Sequence, residues 1–406
     1  MKDTPLRIGA VIEDEWRQIF RNRTLFAILF LVPLIYTAFF GYLYSQHQIT
    51  EIKTVVFDGD GSQLSRQIIQ AFDESATFQV IKQVRNEPEV EQAIETGKAK
   101  VGVIIPNDFS DRLKRGEYIP VMTLIDGSNM MFSNAAVKAA NEIVTTFSYA
   151  VTGEKLGQNG LNDEQVQSMI TSIPFRSRIL YNPAFSYSHF MVYGLMGAML
   201  QQVLLLGLAI TVTREKESGT WTRFQEWSRR PWKIAYTKTA PYILIGLFNH
   251  FASFSLALYV FHLPFRGDVL SAILLMISFV FALAGIGYAA SQFSPNQVQA
   301  IQFTMIIAVP SFMLSGFTWP FDAMPKLLYW LGHCLPLTYF VDGIREILIK
   351  GHGWEMVWRN CVILVTMGLG SFLAAFLMTP VTFKITKHKE KEPGFILFQE
   401  QKPQSF

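Results

Sequence analysis

The chain has 406 residues, 50% of them apolar and 17% charged, against ~25% charged in a typical soluble protein, with a formal net charge of +3. A mean hydropathy of +0.24 in a chain with a long hydrophilic stretch means that the apolar residues are gathered into runs. These values exclude a disordered, collagen-like or disulfide-stapled chain. The two cysteines, Cys334 and Cys361, lie in or beside apolar runs and read as buried small hydrophobes.

Residues 1–23 space Ile8, Ile12, Trp16 and Ile19/Phe20 three or four apart, with Arg17, Arg21 and Arg23 on other faces. That is an amphipathic helix, basic at its end. It suits a helix lying in the cytoplasmic membrane interface; a plain extension of the following span is the other reading. Residues 24–44 carry no charge and can cross ~30 Å of hydrocarbon, which takes ~20 apolar residues. Their apolar core is longer than that of a signal peptide and no small-residue cleavage site follows Tyr44, so this segment is expected to stay as an anchor.

Residues 45–185 are too polar for lipid and too patterned for disorder. Val55–Phe57, Phe78–Ile81, Val101–Ile105 and Val121–Ile125 read as strands. Between them, Leu64, Ile68, Ile69 and Phe72 mark one helix, Val90, Ala93 and Ile94 a second after Pro88, and Asn107 caps a third. Strands alternating with short helices predict a small α/β domain. A long helix over 129–153 leads out of it. Asp58-Gly-Asp-Gly61 invites a calcium reading but lacks the other ligands of an EF-hand loop; an ordinary turn is the plainer expectation.

Charge-free runs recur at 179–213, 239–265, 269–321 and 360–383. The third of these exceeds one span and divides at Ser291–Gln299, where Pro295 and the amides favour a turn. With the first segment this makes six transmembrane helices. The predicted fold is therefore a membrane all-α protein with an external α/β domain inserted between its first and second spans. Five further spans occupy 186–383.

Basic residues set the orientation. Arg214–Lys238 holds seven basic and three acidic residues, the tail after Phe383 five and three, and the first 23 residues five and four; Ser45–Arg178 holds 13 and 17. Both termini, the loop 214–238 and the tail 384–406 are expected in the cytoplasm, and the large inserted domain outside.

Several chemistries have no motif here. There is no phosphate loop, no His-Glu-x-x-His, no paired cysteine spacing and no Gly-x-Ser-x-Gly. No catalytic or metal-ligating set is expected, and no nucleic-acid partner. No Asp–Glu pair lies within a span, which weighs against an ion-coupled carrier.

Two stretches stand out. Arg214, Glu215, Lys216, Glu217, Ser218, Gly219, Thr220 and Trp221 alternate charges densely at the end of the second span. Anchoring alone needs only Lys and Arg, so the added glutamates make a mixed-charge patch suited to docking a partner protein; a solvated helix end is the alternative. Before the last span, residues 318–351 are apolar yet interrupted by Pro320, Pro325 and Pro336, following Gly316. Proline forbids one continuous helix. Short apolar helices dipping into the outer leaflet, or an amphipathic loop packed on the span ends, both fit.

These residues resemble the membrane subunit of ABC-2-type transporters, the permease class of ABC exporters. The resemblance is carried by the basic amphipathic start, Arg214-Glu-Lys-Glu-Ser-Gly-Thr220, Leu314-Ser-Gly316, Pro320, Met324-Pro325, Pro336-Leu-Thr-Tyr339, Asp342 and Arg345. Thr222-Arg223 departs from it, since such permeases often carry another glutamate there. The resemblance implies a multi-pass cell-membrane permease that pairs with a second, identical or similar permease chain and with a separate ABC ATPase. ATP and Mg2+ would bind on that partner, and this chain would hold no cofactor. It implies that residues 214–221 couple to the ATPase. A substrate path between paired chains would be lined by the second and fifth spans, where Gln201, Gln202, Gln302 and Ser311 are the polar candidates; each equally suits an interhelical hydrogen bond. The aromatic-rich, carboxylate-poor interior favours an amphiphilic, drug-like or lipid-like cargo. A membrane-anchored surface receptor or secretion scaffold without transport activity is the alternative function.

Overall fold

The computed structural model describes residues 7–44, 49–115, 117, 119–158, 187–228 and 230–389. The expected tail beyond residue 389, the first six residues of the amphipathic helix and the 159–186 part of the inserted segment lie outside the described residues. The chain divides into two compact units, Gln48–Ile179 and the remainder.

The inserted unit is the α/β domain expected from its alternating pattern. Its strands are β1 (Ile52–Asp58), β2 (Phe78–Val84), β3 (Val101–Ile105) and β4 (Met122–Ile125), in the order β2-β1-β3-β4. β1 runs parallel to both β2 and β3, and β4 is antiparallel to β3. Parallel neighbours need crossovers, which the helices at Gln63–Asp73 and Glu87–Glu95 provide. Successive strand residues face opposite sides. Val56 and Ile105 enter one core with Ile68, Phe72 and Ala136, while Val55 and Ile104 enter another with Val90. Gly102 lets the Val90 helix close in, since a Cβ there would lie 2.2 Å from Val90 Cγ1.

The Asp58–Gly61 segment is a turn held by its own carboxylates. Asp58 accepts the N–H groups of Asp60 and Gly61 at 3.1 and 2.9 Å, and Asp60 accepts the N–H and hydroxyl of Ser110. Among the described residues no group of three His, Cys, Asp or Glu is placed to hold a metal ion.

The other unit is helical. We label α1 (Ile8–Arg21), α2 (Arg23–Leu43), α3 to α5 (the inserted unit's Gln63–Asp73, Glu87–Glu95 and Phe109–Arg115), α6 (Met130–Gln158), α7 (Tyr187–Glu217), α8 (Trp221–Trp227), α9 (Pro231–Tyr259), α10 (Val269–Phe293), α11 (Gln297–Leu314), α12 (Lys326–His333), α13 (Pro336–Ile344) and α14 (Trp354–Lys389). Six of these, α2, α7, α9, α10, α11 and α14, are long and apolar enough to cross a membrane. α7 is the most enclosed of the six.

Three boundaries differ from those read along the sequence. α7 stays helical through Glu217, and α9 opens at Pro231, a favoured first helical residue, rather than at Thr239. α14 begins at Trp354, before the charge-free run. Charged residues near helix ends are thus absorbed into the helices.

Small residues set the closest crossings. A Cβ on Gly285 of α10 would lie 2.5 Å from the carbonyl oxygen of Gly368 on α14. Gly285→Ala is expected to push these helices apart and lower stability by ~1–3 kcal/mol. A melting curve of the purified chain in detergent reads this, and an unchanged melting temperature would refute it.

α2 contains a π-helical turn, Ala27–Leu31, just before Pro33. Proline has no N–H, so residue 33 cannot bond the Leu29 carbonyl as an α-helix requires. Asn249 of α9 supplies a donor, its Nδ2 lying 2.7 Å from that oxygen. In a bundle surrounded by lipid, no water would otherwise satisfy the group.

Candidate functional site

α1 buries Val11, Glu15 and Ile19, one residue per turn. A glutamate therefore sits mid-way along the stripe that enters the bundle. Ile8 and Phe20 lie on the exposed side, and Trp16 is partly buried and stacked on Phe20 at 5.7 Å. The apolar residues read as one lipid face are thus shared between the bundle and its surface.

The Glu15 carboxylate meets the end of α7 and the start of α9. Its Oε2 accepts from Arg214 Nη2 at 2.8 Å, and its Oε1 accepts from Lys238 Nζ. Lys238 Nζ also donates to Glu215 Oε1 at 2.6 Å and lies 4.6 Å from the centroid of the Phe224 ring. Thr220 Oγ1 donates to the other oxygen of Glu215. The side chains of Glu15 and Lys238 are each 1% exposed. Two carboxylates and two cations make a neutral tetrad, which is what permits burial. An unpaired charge at this depth would neutralise itself, a carboxylate by gaining a proton and an ammonium by losing one, or expel its helix.

The helix end is shaped by Gly219. It takes φ +70°, Gly219 N–H donates to Lys216 O, and Thr220 N–H donates to Glu215 O. This pair of bonds is a Schellman motif, in which glycine follows the helix because a side chain resists the left-handed conformation. It turns the chain so that the Thr220 hydroxyl returns to Glu215. Ser218 and Thr220 share a 2.8 Å hydroxyl contact.

Trp221 then drives into the bundle. It is fully buried, stacks on Phe383 of α14 at 4.9 Å, and its Nε1 donates to Thr382 Oγ1 at 3.3 Å. Thr382 Oγ1 in turn donates to Gln292 Oε1 of α10 at 3.2 Å. Residues 214–221 therefore tie together α1, α7, α9, α10 and α14 at one end of the bundle.

Of residues 214–221, Glu217 and Ser218 are exposed. Glu215 and Trp221 are buried, and Arg214, Lys216, Gly219 and Thr220 are half-buried. Sequence reasoning missed Glu15 and Lys238. The signal for Glu15 was a carboxylate on the Val11–Ile19 stripe. For Lys238 it was a lone cation among apolar residues two turns past Pro231.

The polar residues of α7 and α11 divide. Gln201 and Ser311 are buried, and Gln202 and Gln302 are exposed. Ser311 Oγ donates to the Ile307 carbonyl of its own helix at 2.7 Å. α7 and α11 pack directly against each other, so these residues lie on one helix pair.

At the other end, the prolines divide residues 318–351 as expected. Pro320 precedes a short 3-10 turn, Pro325 precedes α12, and Pro336 starts α13. Gly316 turns at φ +72°, and its carbonyl and that of Phe317 each accept from Arg345 at 3.3 Å. Burial opposes ionisation of Glu346 nearby, but Lys350 and His352 outweigh it and hold its carboxyl below the ordinary glutamate range.

Residues 23–377 match the family model described as ABC-2 family transporter protein. The chain is 26% identical over 377 residues to "Probable multidrug ABC transporter permease YbhR" of Escherichia coli (strain K12), covering 92% of this chain and 98% of that one. It is 23% identical over 372 residues to "Probable multidrug ABC transporter permease YbhS" of the same strain, covering 88% and 93%. To "Linearmycin resistance permease protein LnrN" of Bacillus subtilis (strain 168) it is 21% identical over 386 residues, covering 91% and 98%.

Proposed function

Since the chain belongs to the ABC-2 family of transporter proteins, we propose that it is the permease subunit of an ATP-driven exporter carrying an amphiphilic, drug-like or lipid-like molecule across the cell membrane. ATP is hydrolysed, with Mg2+, on a separate ABC ATPase. A second permease chain, a copy or a paralogue, completes the path, which Gln202 and Gln302 help to line from exposed positions on α7 and α11. The basic end of the bundle faces the cytoplasm with both termini, because Lys and Arg outnumber acids there, and the α/β unit lies outside. Residues 214–221 receive the motion of the ATPase.

The observation that carries this reading is the buried tetrad of Glu15, Arg214, Glu215 and Lys238. It joins three helices through residues far apart in the chain, at the end richest in basic residues. A push on the 214–221 loop therefore reaches α1 and α9 at once. The printed names of the relatives, multidrug and linearmycin resistance permeases, agree with an amphiphilic cargo.

Affinity purification of the tagged chain from its native membrane tests the assembly. An ABC ATPase is expected to co-purify, with hydrolysis stimulated by cargo. Recovery of the chain alone, with transport indifferent to nucleotide, would overturn the reading. A deletion strain is expected to be hypersensitive to a subset of membrane-active compounds, which identifies the cargo class.

A further inference from the structure

The tetrad uses Arg214 and Glu215. The next two residues turn to a different target, the Ser294–Asn296 connection between α10 and α11. Lys216 Nζ donates to the carbonyl oxygens of Ser291, Gln292 and Ser294 at 3.2, 2.6 and 2.9 Å. These lie at the C-terminal end of α10, where carbonyls lack intrahelical donors and the helix dipole is negative. Glu217 accepts the backbone N–H of Gln297 at 2.7 Å, together with that residue's side-chain amide. Gln297 opens α11, whose free N–H groups form a positive pole; Asn296 caps the same end through Gln299 N–H at 2.9 Å. Adjacent residues of opposite charge thus engage opposite poles of two consecutive helices.

We propose that Lys216 and Glu217 are positioning residues that lock the α10–α11 turn to the end of α7, so that displacement of the 214–221 loop reaches α11 as well as α7. The lock stands on geometry within this chain. Only the transmission step rests on the reading of 214–221 as the loop that meets the ATPase.

The sign of each charge matters more than the presence of a pair. Exchanging the two, Lys216→Glu with Glu217→Lys, keeps net charge and composition. It places a carboxylate against carbonyl oxygens and an ammonium against an N–H group. Neutralising both, Lys216→Gln with Glu217→Gln, only removes the attraction. Lys216→Arg keeps a cationic donor at the α10 end.

Hydrogen–deuterium exchange on the purified chain without ATPase reads the lock directly, in a peptide covering residues 291–299. The exchanged pair is expected to speed exchange roughly tenfold or more, as the loss of charge-assisted bonds implies, with the neutral pair intermediate and Lys216→Arg near the parent. A peptide from the middle of α10 is expected to stay unchanged, which separates a loosened turn from a misfolded chain. Parent-like exchange in the swapped variant, or swapped and neutral variants alike, overturns the lock. In the assembled transporter, the ratio of cargo-stimulated to basal hydrolysis is expected to fall in the swapped variant and recover in Lys216→Arg. An unchanged ratio despite a loosened turn overturns transmission. Failure to recover any ATPase would instead strike the proposed function and leave the exchange result standing.

Discussion

Lys238→Met is expected to lower stability by ~3–5 kcal/mol, the range for breaking a buried ion pair from one side. The ammonium is shared between Glu15 and Glu215, and both its own side chain and that of Glu15 are 1% exposed. Removing it leaves two carboxylates near each other with Arg214 as the remaining cation of the tetrad. Methionine fills similar volume, so the loss reports charge rather than a cavity. Combining Lys238→Met with Glu215→Gln restores neutrality to what remains, Glu15 with Arg214, and is expected to regain more than half of the loss. Thermal melting of parent, single and double variants in detergent forms the cycle. A single variant that melts like the parent, or a double variant no better than the single, would show that the tetrad is not a charge-balanced unit.

Trp221→Ala is expected to cost ~3–5 kcal/mol, as for other fully buried large aromatics. It also removes the stack on Phe383 and the bond to Thr382. The consequence goes beyond the cavity, because Trp221 is where the loop after α7 grips α14. With that grip gone, the 214–221 loop is expected to move without carrying the last span, and cargo-stimulated ATP hydrolysis is expected to fall further than Trp221→Phe lowers it. Trp221→Phe keeps a ring to stack on Phe383 but loses the indole N–H, at ~0.5–1.5 kcal/mol for a neutral hydrogen bond, together with part of the buried ring volume. Equal losses in the two variants would remove stacking from the account.

The tetrad accounts for a composition that surface docking alone does not. Anchoring a helix end at a membrane surface needs only Lys and Arg. Glu215 is present because Lys238 is buried beside it, and Glu217 because α11 presents a free N–H group. Charges that read along the sequence as a partner-facing patch are mostly engaged with this chain's own helices. Glu217 and Ser218 remain exposed at that end. A partner that presses there meets a loop already fastened to five helices.

The spans and the inserted α/β unit were legible because each is written in local pattern. Some twenty apolar residues without charge mark a helix that can cross a bilayer, and Val55, Val56, Ile104 and Ile105 sit in runs that fill both faces of a sheet. Prolines 320, 325 and 336 marked the breaks before the last span. The same rule misplaced the starts of α9 and α14. Counting charges assumes that a charged residue lies outside a span, and Lys238 breaks the assumption by finding its partners inside the bundle.

Sequence by itself determined how many apolar helices there are, where the domain is inserted, and which short stretch is densest in alternating charge, since all three depend on neighbours within a few turns. Only the tertiary structure decided what those charges touch. Arg214 meets Glu15 across 199 residues of chain and Lys238 meets it across 223. No periodicity encodes such a pairing; it exists because packed helices leave a buried charge no solvent, and therefore no stable place except against its opposite.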